Sequence, residues 1–97
     1  MTERQLKAEA FMNRARVAYN AITDETGIEK WLDEELAVME MVCRVKDHTM
    51  AVILIQRYLL WKPWEEIASF IGYTPKRCIE KRRSALDAVA DILEASA

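Results

Sequence analysis

Residues 57–86 read RYLLWKPWEEIASFIGYTPKRCIEKRRSAL, and this stretch decides the fold. Lys62-Pro63 must interrupt any helix arriving from Arg57, because proline lacks an N–H and pushes the residue before it out of the helical region. The same proline suits the first turn of a new helix, predicted over Trp64–Ile71 with Ile67, Ala68 and Ile71 inward. Gly72 stands just past that helix, where a positive φ is commonly needed. Thr74-Pro75 then reads as an N-cap followed by a first-turn proline, opening a helix that can continue to about Ala95. Its first half is basic: residues 74–86 hold Lys76, Arg77, Lys81, Arg82 and Arg83 against a single acid, Glu80. The pattern is a helix, a short turn and a second helix with clustered positive charge at its start.

Working outward, the rest of the chain is helical in pattern too. The 97 residues contain two Gly and two Pro, which leaves little material for the many turns of an all-β fold. A first helix is predicted from about Thr2 or Glu3 to Ile22, with Phe11, Ala15, Ala18 and Ile22 as its apolar stripe and Leu6 extending it. Thr23-Asp24-Glu25-Thr26-Gly27 reads as the break. A second helix is predicted from Ile28 to about Val45, with Ile28, Leu32, Leu36, Met39 and Cys43 inward and Trp31 and Val42 widening the stripe. Asp47 can cap a third helix, from about His48 to Leu60, that buries Met50, Ile53, Leu54, Tyr58 and Trp61 on or near one face. The expected fold is all-α, with about five helices. Residues 1–46 would form an N-terminal arm or interaction region and residues 47–97 a helix-turn-helix region, within one compact domain.

Charge divides along the chain. The net charge is −2, so the basic block is local rather than compositional. Residues 24–40 carry seven acids (Asp24, Glu25, Glu29, Asp33, Glu34, Glu35, Glu40) against Lys30 alone. A duplex would repel that acidic segment, which should therefore face solvent or another protein. On a helical wheel, Cys78, Ala85, Val89 and Ile92 share one side of the last helix, with Leu86 and Leu93 beside it. Lys76, Glu80, Arg83 and Asp87 share the other, with Arg77 and Ile79 on its flanks. From Asp87 onward the outer side turns acidic (Asp87, Asp91, Glu94), which would mark where a groove contact stops. A helix start offers unpaired N–H groups to phosphate, and basic residues behind it can enter a groove, so double-stranded DNA is the expected partner.

Other chemistries lack their residues. His48, the single histidine, has no Cys or carboxylate cluster at metal spacing, and reads as an exposed helix-start residue. No nucleophile-and-base motif and no glycine-rich phosphate loop are present, so neither an enzyme nor a cofactor is expected. Cys43 and Cys78 sit in apolar periodic segments and read as packed, reduced thiols. Trp31, Trp61 and Trp64 lie beside apolar stripes and are expected to pack. Met39 and Met41 cannot face the same way, so one of them, with Val38 or Val45, is expected to be exposed and to mark a contact that admits a homodimer. No run of about 18 apolar residues exists and no apolar segment follows Thr2, so no membrane span or signal peptide is read and a cytoplasmic location is expected.

Trp64-Glu65-Glu66-Ile67-Ala68, Ile71-Gly72-Tyr73-Thr74, Cys78 and Ala85-Leu86 resemble region 4 of sigma-70-type factors. Together with Arg57-Tyr58, they resemble still more the phage late transcriptional regulators of the RinA/ArpU type. The resemblance covers about residues 50–90. It implies a DNA-binding helix-turn-helix, with Thr74 at the cap and phosphate position and Lys76, Ile79 and Glu80 toward bases in the major groove. Arg77, Lys81, Arg82 and Arg83 complete the expected DNA-binding set. Pro75 stands where a basic residue is frequent, and Lys81 where an apolar one is usual. The expected function is a sequence-specific transcriptional regulator of phage or prophage origin, with RNA polymerase as a candidate second partner. The rivals are a small terminase-like DNA-packaging subunit, and a protein-interaction module whose helix-turn-helix no longer binds DNA.

Overall fold

A computed structural model describes residues 1–96, and these form six α-helices with no strand. They are α1 (Glu3–Met12), α2 (Arg14–Asn20), α3 (Glu25–Arg44), α4 (His48–Leu54), α5 (Trp64–Ile71) and α6 (Pro75–Ala95). A π-helical turn, Ile55–Leu59, extends α4. None of the helices among these residues is long and apolar enough to cross a membrane.

Local chemistry sets the starts of the helices. Thr2 and Gln5 make a reciprocal capping box: Gln5 N–H donates to Thr2 Oγ1 at 3.2 Å, and Thr2 N–H to Gln5 Oε1 at 2.9 Å. Asp24 accepts from Gly27 N–H (3.0 Å), Asp47 from Met50 N–H (2.9 Å) and Thr74 from Arg77 N–H (3.1 Å). Each cap satisfies a backbone donor that the first helical turn leaves unpaired.

Three boundaries differ from the sequence reading. The first helix is divided at Asn13, whose ψ of −1° flattens the turn and directs α2 onto α3. Asp24 is a cap rather than a mid-turn residue, so Glu25, Thr26 and Gly27 already belong to α3. Gly27 also lets the two helices close up: a Cβ there would lie 3.1 Å from Ile22 Cα. Finally, the α-helical part of the third expected helix stops at Leu54, and the chain widens to a π turn closed by Leu60 N–H donating to Ile55 O at 3.0 Å. Trp61 then takes a left-handed φ of 57°, just before the Lys62-Pro63 break. Side chains brace the break: Trp61 Nε1 donates to Tyr58 O at 3.0 Å and Arg57 to Lys62 O at 3.0 Å.

Packing follows from two helix pairs. α2 and α3 form an antiparallel hairpin, with Arg14 paired to Glu34 and the Tyr19 and Trp31 rings edge to face at 5.4 Å. The guanidinium of Arg14 holds the Glu34 carboxyl below the usual carboxylate range through its hydrogen bond. α1 runs antiparallel to α6, with Arg4 against Asp91 and Glu94, Gln5 against Asp87 and Glu9 against Arg82. The main core joins Ala8, Met12, Ala15, Val38, Met41, Val42, Leu54, Tyr58, Ala85, Leu86 and Val89. A second, smaller core of Ile53, Ile67, Ala68 and Cys78, flanked by Trp64, Ile71 and Tyr73, joins α4, α5 and α6.

Of the stripe expected on the first helix, Ala15 and Ala18 are buried and Phe11 packs against the core, while Leu6 is exposed and Gln5, Ala8 and Met12 are buried in addition. The stripe expected on α3 is rotated. On α3, Val38, Met41 and Val42 point inward, whereas Ile28, Leu32, Leu36, Met39 and Cys43 lie on the exposed side. Cys78 is fully buried and its thiol is pushed up by that burial, so only one of the two cysteines is packed.

Met39 and Met41 provide a matched test of the α3 orientation, being 47% and 5% exposed. Met41→Ala should cost roughly 2–5 kcal/mol in urea unfolding, and Met39→Ala about 0.5 kcal/mol or less. Equal losses, or the reverse order, would rotate α3 back to the orientation read from the sequence.

Candidate nucleic-acid interface

The basic helix start is built by α5, its turn and α6. Gly72 ends α5 in the left-handed region (φ 76°, ψ 25°), and Tyr73 N–H donates back to Ala68 O at 3.0 Å, closing the helix end. Nothing lies within 4 Å of a Cβ built on Gly72, so its backbone conformation, not crowding, favours glycine there. Thr74 follows in extended conformation and caps α6, with Pro75 in the first turn. Ile67 and Ala68 of α5 meet Cys78 of α6 in the smaller core, which fixes one helix against the other.

The eight residues expected to meet DNA separate into two groups. Thr74, Lys76, Arg77, Glu80 and Arg83 are exposed, and Ile79 is half-buried among them. Among the described residues, Lys76, Arg77 and Arg83 have no carboxylate within ion-pair distance. The Arg77 guanidinium stacks on Tyr73, 4.1 Å from the ring centroid, which positions it beside the turn. Lys76, Glu80 and Arg83 fall on one side of α6 and present a stripe about two turns long.

Lys81 and Arg82 have acidic partners within the fold, Lys81 at the surface and Arg82 largely enclosed. Lys81 Nζ lies 4.0 Å from Asp47 Oδ2, at the start of α4. Arg82 is turned toward α1, 3.3 Å from Glu9 Oε2, and also lies over the Trp64 ring at 5.4 Å. The same Glu9 oxygen accepts from the Tyr58 hydroxyl at 2.5 Å. Glu9 thus links α1, the π turn and α6 through one carboxylate. Sequence reasoning missed this residue. Its signal was weak: Glu9 lies beside the buried Ala8 on α1, four residues after Gln5, itself turned toward α6.

The acids that close the basic stripe have partners as well. Asp87 accepts from Gln5 Nε2 at 3.1 Å, while Asp91 and Glu94 accept from Arg4 at 2.6–2.9 Å. The hydrogen bond from Arg4 draws the Glu94 carboxyl below its ordinary range. The second half of α6 is therefore clasped by α1, and the uncommitted positive charge is confined to its first three turns. Among the described residues no group of His, Cys, Asp or Glu is placed to hold a metal ion, and His48 is exposed at the start of α4.

Burial, and then the hydrogen bond to Glu9, push the Tyr58 phenol well above its ordinary value of 10.0. A raised folded-state value adds stability that is full below pH 10 and fades as pH rises beyond it, because the unfolded chain releases this proton first. Above about pH 10 the wild-type stability should fall up to about 1.4 kcal/mol per pH unit faster than that of Tyr58→Phe. Parallel alkaline denaturation curves for the two proteins would show instead that the phenol is not held this way.

No protein-family model, curated protein or solved structure matches this chain, so no relative assigns a role to the α5–α6 unit.

Proposed function

We propose that this protein is a sequence-specific DNA-binding transcriptional regulator, acting as a helix-turn-helix of the sigma region 4 kind. α5 would lie across the backbone, and the start of α6 would enter a major groove. The observation that carries the reading is the capped, exposed start of α6 with Lys76, Arg77 and Arg83 free of carboxylates, on an otherwise acidic protein. Three acids of α6 itself, Asp87, Asp91 and Glu94, are occupied by Gln5 and Arg4 of α1 rather than by its own bases. In this reading Arg77 and Arg83 meet phosphates, with Thr74 and the free N–H groups beside it. Lys76 and Glu80 read bases, Lys76 at guanine acceptors and Glu80 at a cytosine amino group, with Ile79 against them. Lys81 and Arg82 reach phosphate only by exchanging Asp47 and Glu9 for it. The phage or prophage origin rests on the resemblance over residues 50–90, and RNA polymerase is the protein partner that the same resemblance suggests.

Selection of bound duplexes from a random pool tests the reading directly. A recovered motif supports sequence-specific readout, and a palindrome with half-sites one helical turn apart would add a homodimer. If no duplex is retained even at low salt, the chain is an interaction module and the DNA reading falls.

Binding should weaken with salt by a log–log slope of roughly −0.9 per phosphate contact. Arg83→Ala should lower affinity for all duplexes alike and reduce that slope by about one. Lys76→Ala or Glu80→Ala should instead change preference at one position by about 1–3 kcal/mol; a uniform loss would assign that residue to the backbone.

Thr74→Ala should cost about 0.5–2 kcal/mol of stability through the lost cap, and proportionally more in duplex affinity, while Thr74→Ser keeps both. Intact affinity in a folded Thr74→Ala protein would mean that α6 does not approach DNA by its N-terminus.

A further inference from the structure

The outer face of α3 carries an apolar ridge that no other part of the fold covers. Ile28, Leu32, Leu36 and Met39 are 43%, 52%, 55% and 47% exposed, and the exposed Cys43 continues their line. At 1.5 Å per residue the ridge from Ile28 to Cys43 is roughly 22 Å long, matching about four turns of a partner helix. Spacings of four, four, three and four residues bring these side chains to one side of the helix, the pattern by which one helix seats on another. Exposed aliphatic residues scattered singly need no explanation, but a continuous row along a 20-residue helix marks a contact surface.

The charge around the ridge selects its occupant. On a wheel of 100° per residue, Glu29, Asp33 and Glu40 follow one edge of the row, Glu35 the other, and Glu25 stands at its N-terminal end. None of these five acids has a basic partner within ion-pair distance among the described residues. The two bases of α3 are set away from the row: Lys30 lines the shallow groove against α2 with Arg14 and Glu34, and Arg44 donates to Ser96 Oγ at 3.2 Å. A second copy laid on this ridge would bring acidic edges against acidic edges. We infer that the α3 ridge is a docking site for a basic amphipathic helix of another protein, whose apolar face covers Leu32, Leu36 and Met39 while its Lys or Arg residues meet Glu29, Asp33, Glu35 and Glu40. This inference does not depend on DNA binding, since α3 shares none of the residues assigned to the duplex.

The test uses the full chain and a fluorescent helical peptide with leucines at i, i+3 and i+4 spacing and lysines between them. A second peptide with glutamate in place of lysine is the control. Anisotropy at low salt should show saturable binding of the lysine peptide and none of the glutamate peptide. Leu32→Gln/Leu36→Gln keeps two good helix formers on an exposed face, so helicity and melting should stay unchanged. Its affinity for the lysine peptide should fall about tenfold or more, from the loss of two buried aliphatic contacts. Glu29→Gln/Asp33→Asn/Glu40→Gln should weaken binding and flatten its salt dependence. Equal binding of both peptides, or an undiminished affinity in the leucine variant, would overturn the proposal. So would a dimer in light scattering that Leu32→Gln/Leu36→Gln dissociates, because the occupant would then be a second copy. Retention of random duplex by the same variants, measured separately, keeps a failure of the DNA reading distinct from a failure of this one.

Discussion

The carboxylate of Glu9 holds the two ends of the chain in register. It accepts from Tyr58 on the π turn and pairs with Arg82 on α6, and both partners are largely removed from water. Partly buried ionic contacts contribute little net stability, because desolvation offsets their attraction. Their value lies in what they forbid. If α1 slid by one turn along α6, the neutral Gln5 or Asn13 would stand where Glu9 does, and Arg82 would be left enclosed without a carboxylate. The apolar contacts alone, between Ala8, Met12, Ala85, Leu86 and Val89, would tolerate such a shift far better. Register here is a polar decision imposed on an apolar interface.

That register decides which charges remain available outside. Arg82 faces inward and Lys81 reaches toward Asp47, so the basic block is smaller on the surface than in the sequence. What remains is narrow: one side of α6 across its first three turns, with Arg77 steadied by Tyr73. A narrow stripe at a helix start suits a groove better than a diffuse basic surface would, because each cation has a defined position relative to the backbone N–H groups. Trp64 adds to this. It receives both Arg57 and Arg82 within cation–π distance and so couples the start of α5 to the inner side of α6.

The sequence was legible where local rules act and ambiguous where two solutions were equally patterned. Pro63, Gly72, Thr74 and Pro75 each impose a backbone geometry, and the bounds of α5 and α6 agree with those read from them. Asp47 likewise caps α4. α3 was different, because it carries two apolar rows. Ile28, Leu32, Leu36, Met39 and Cys43 form the more aliphatic one, while Trp31, Val38, Met41 and Val45 form another at equally good helical spacing, with Glu34 interrupting it. The second row faces α2 because its partners are Ala15 and Ala18, small residues that admit a close approach, and because Arg14 can meet Glu34 there. Hydrophobicity alone favours the wrong row; the size of the opposing residues chooses the right one. The π turn was equally hidden, since a widened turn preserves the inward Ile53, Leu54 and Tyr58 that the α-helical reading predicts.

The two cysteines, placed so differently, give this protein a built-in chemical clock. Cys43 stands exposed on α3, and Cys78 lies sealed in the smaller core between α4, α5 and α6. A thiol reagent therefore reaches one immediately and the other only when the α5–α6 unit opens. The rate at which the second thiol reacts measures the opening free energy of the unit that presents Lys76 and Arg83, separately from unfolding of the main core. The first thiol, on the far helix, can carry the probe that reports it.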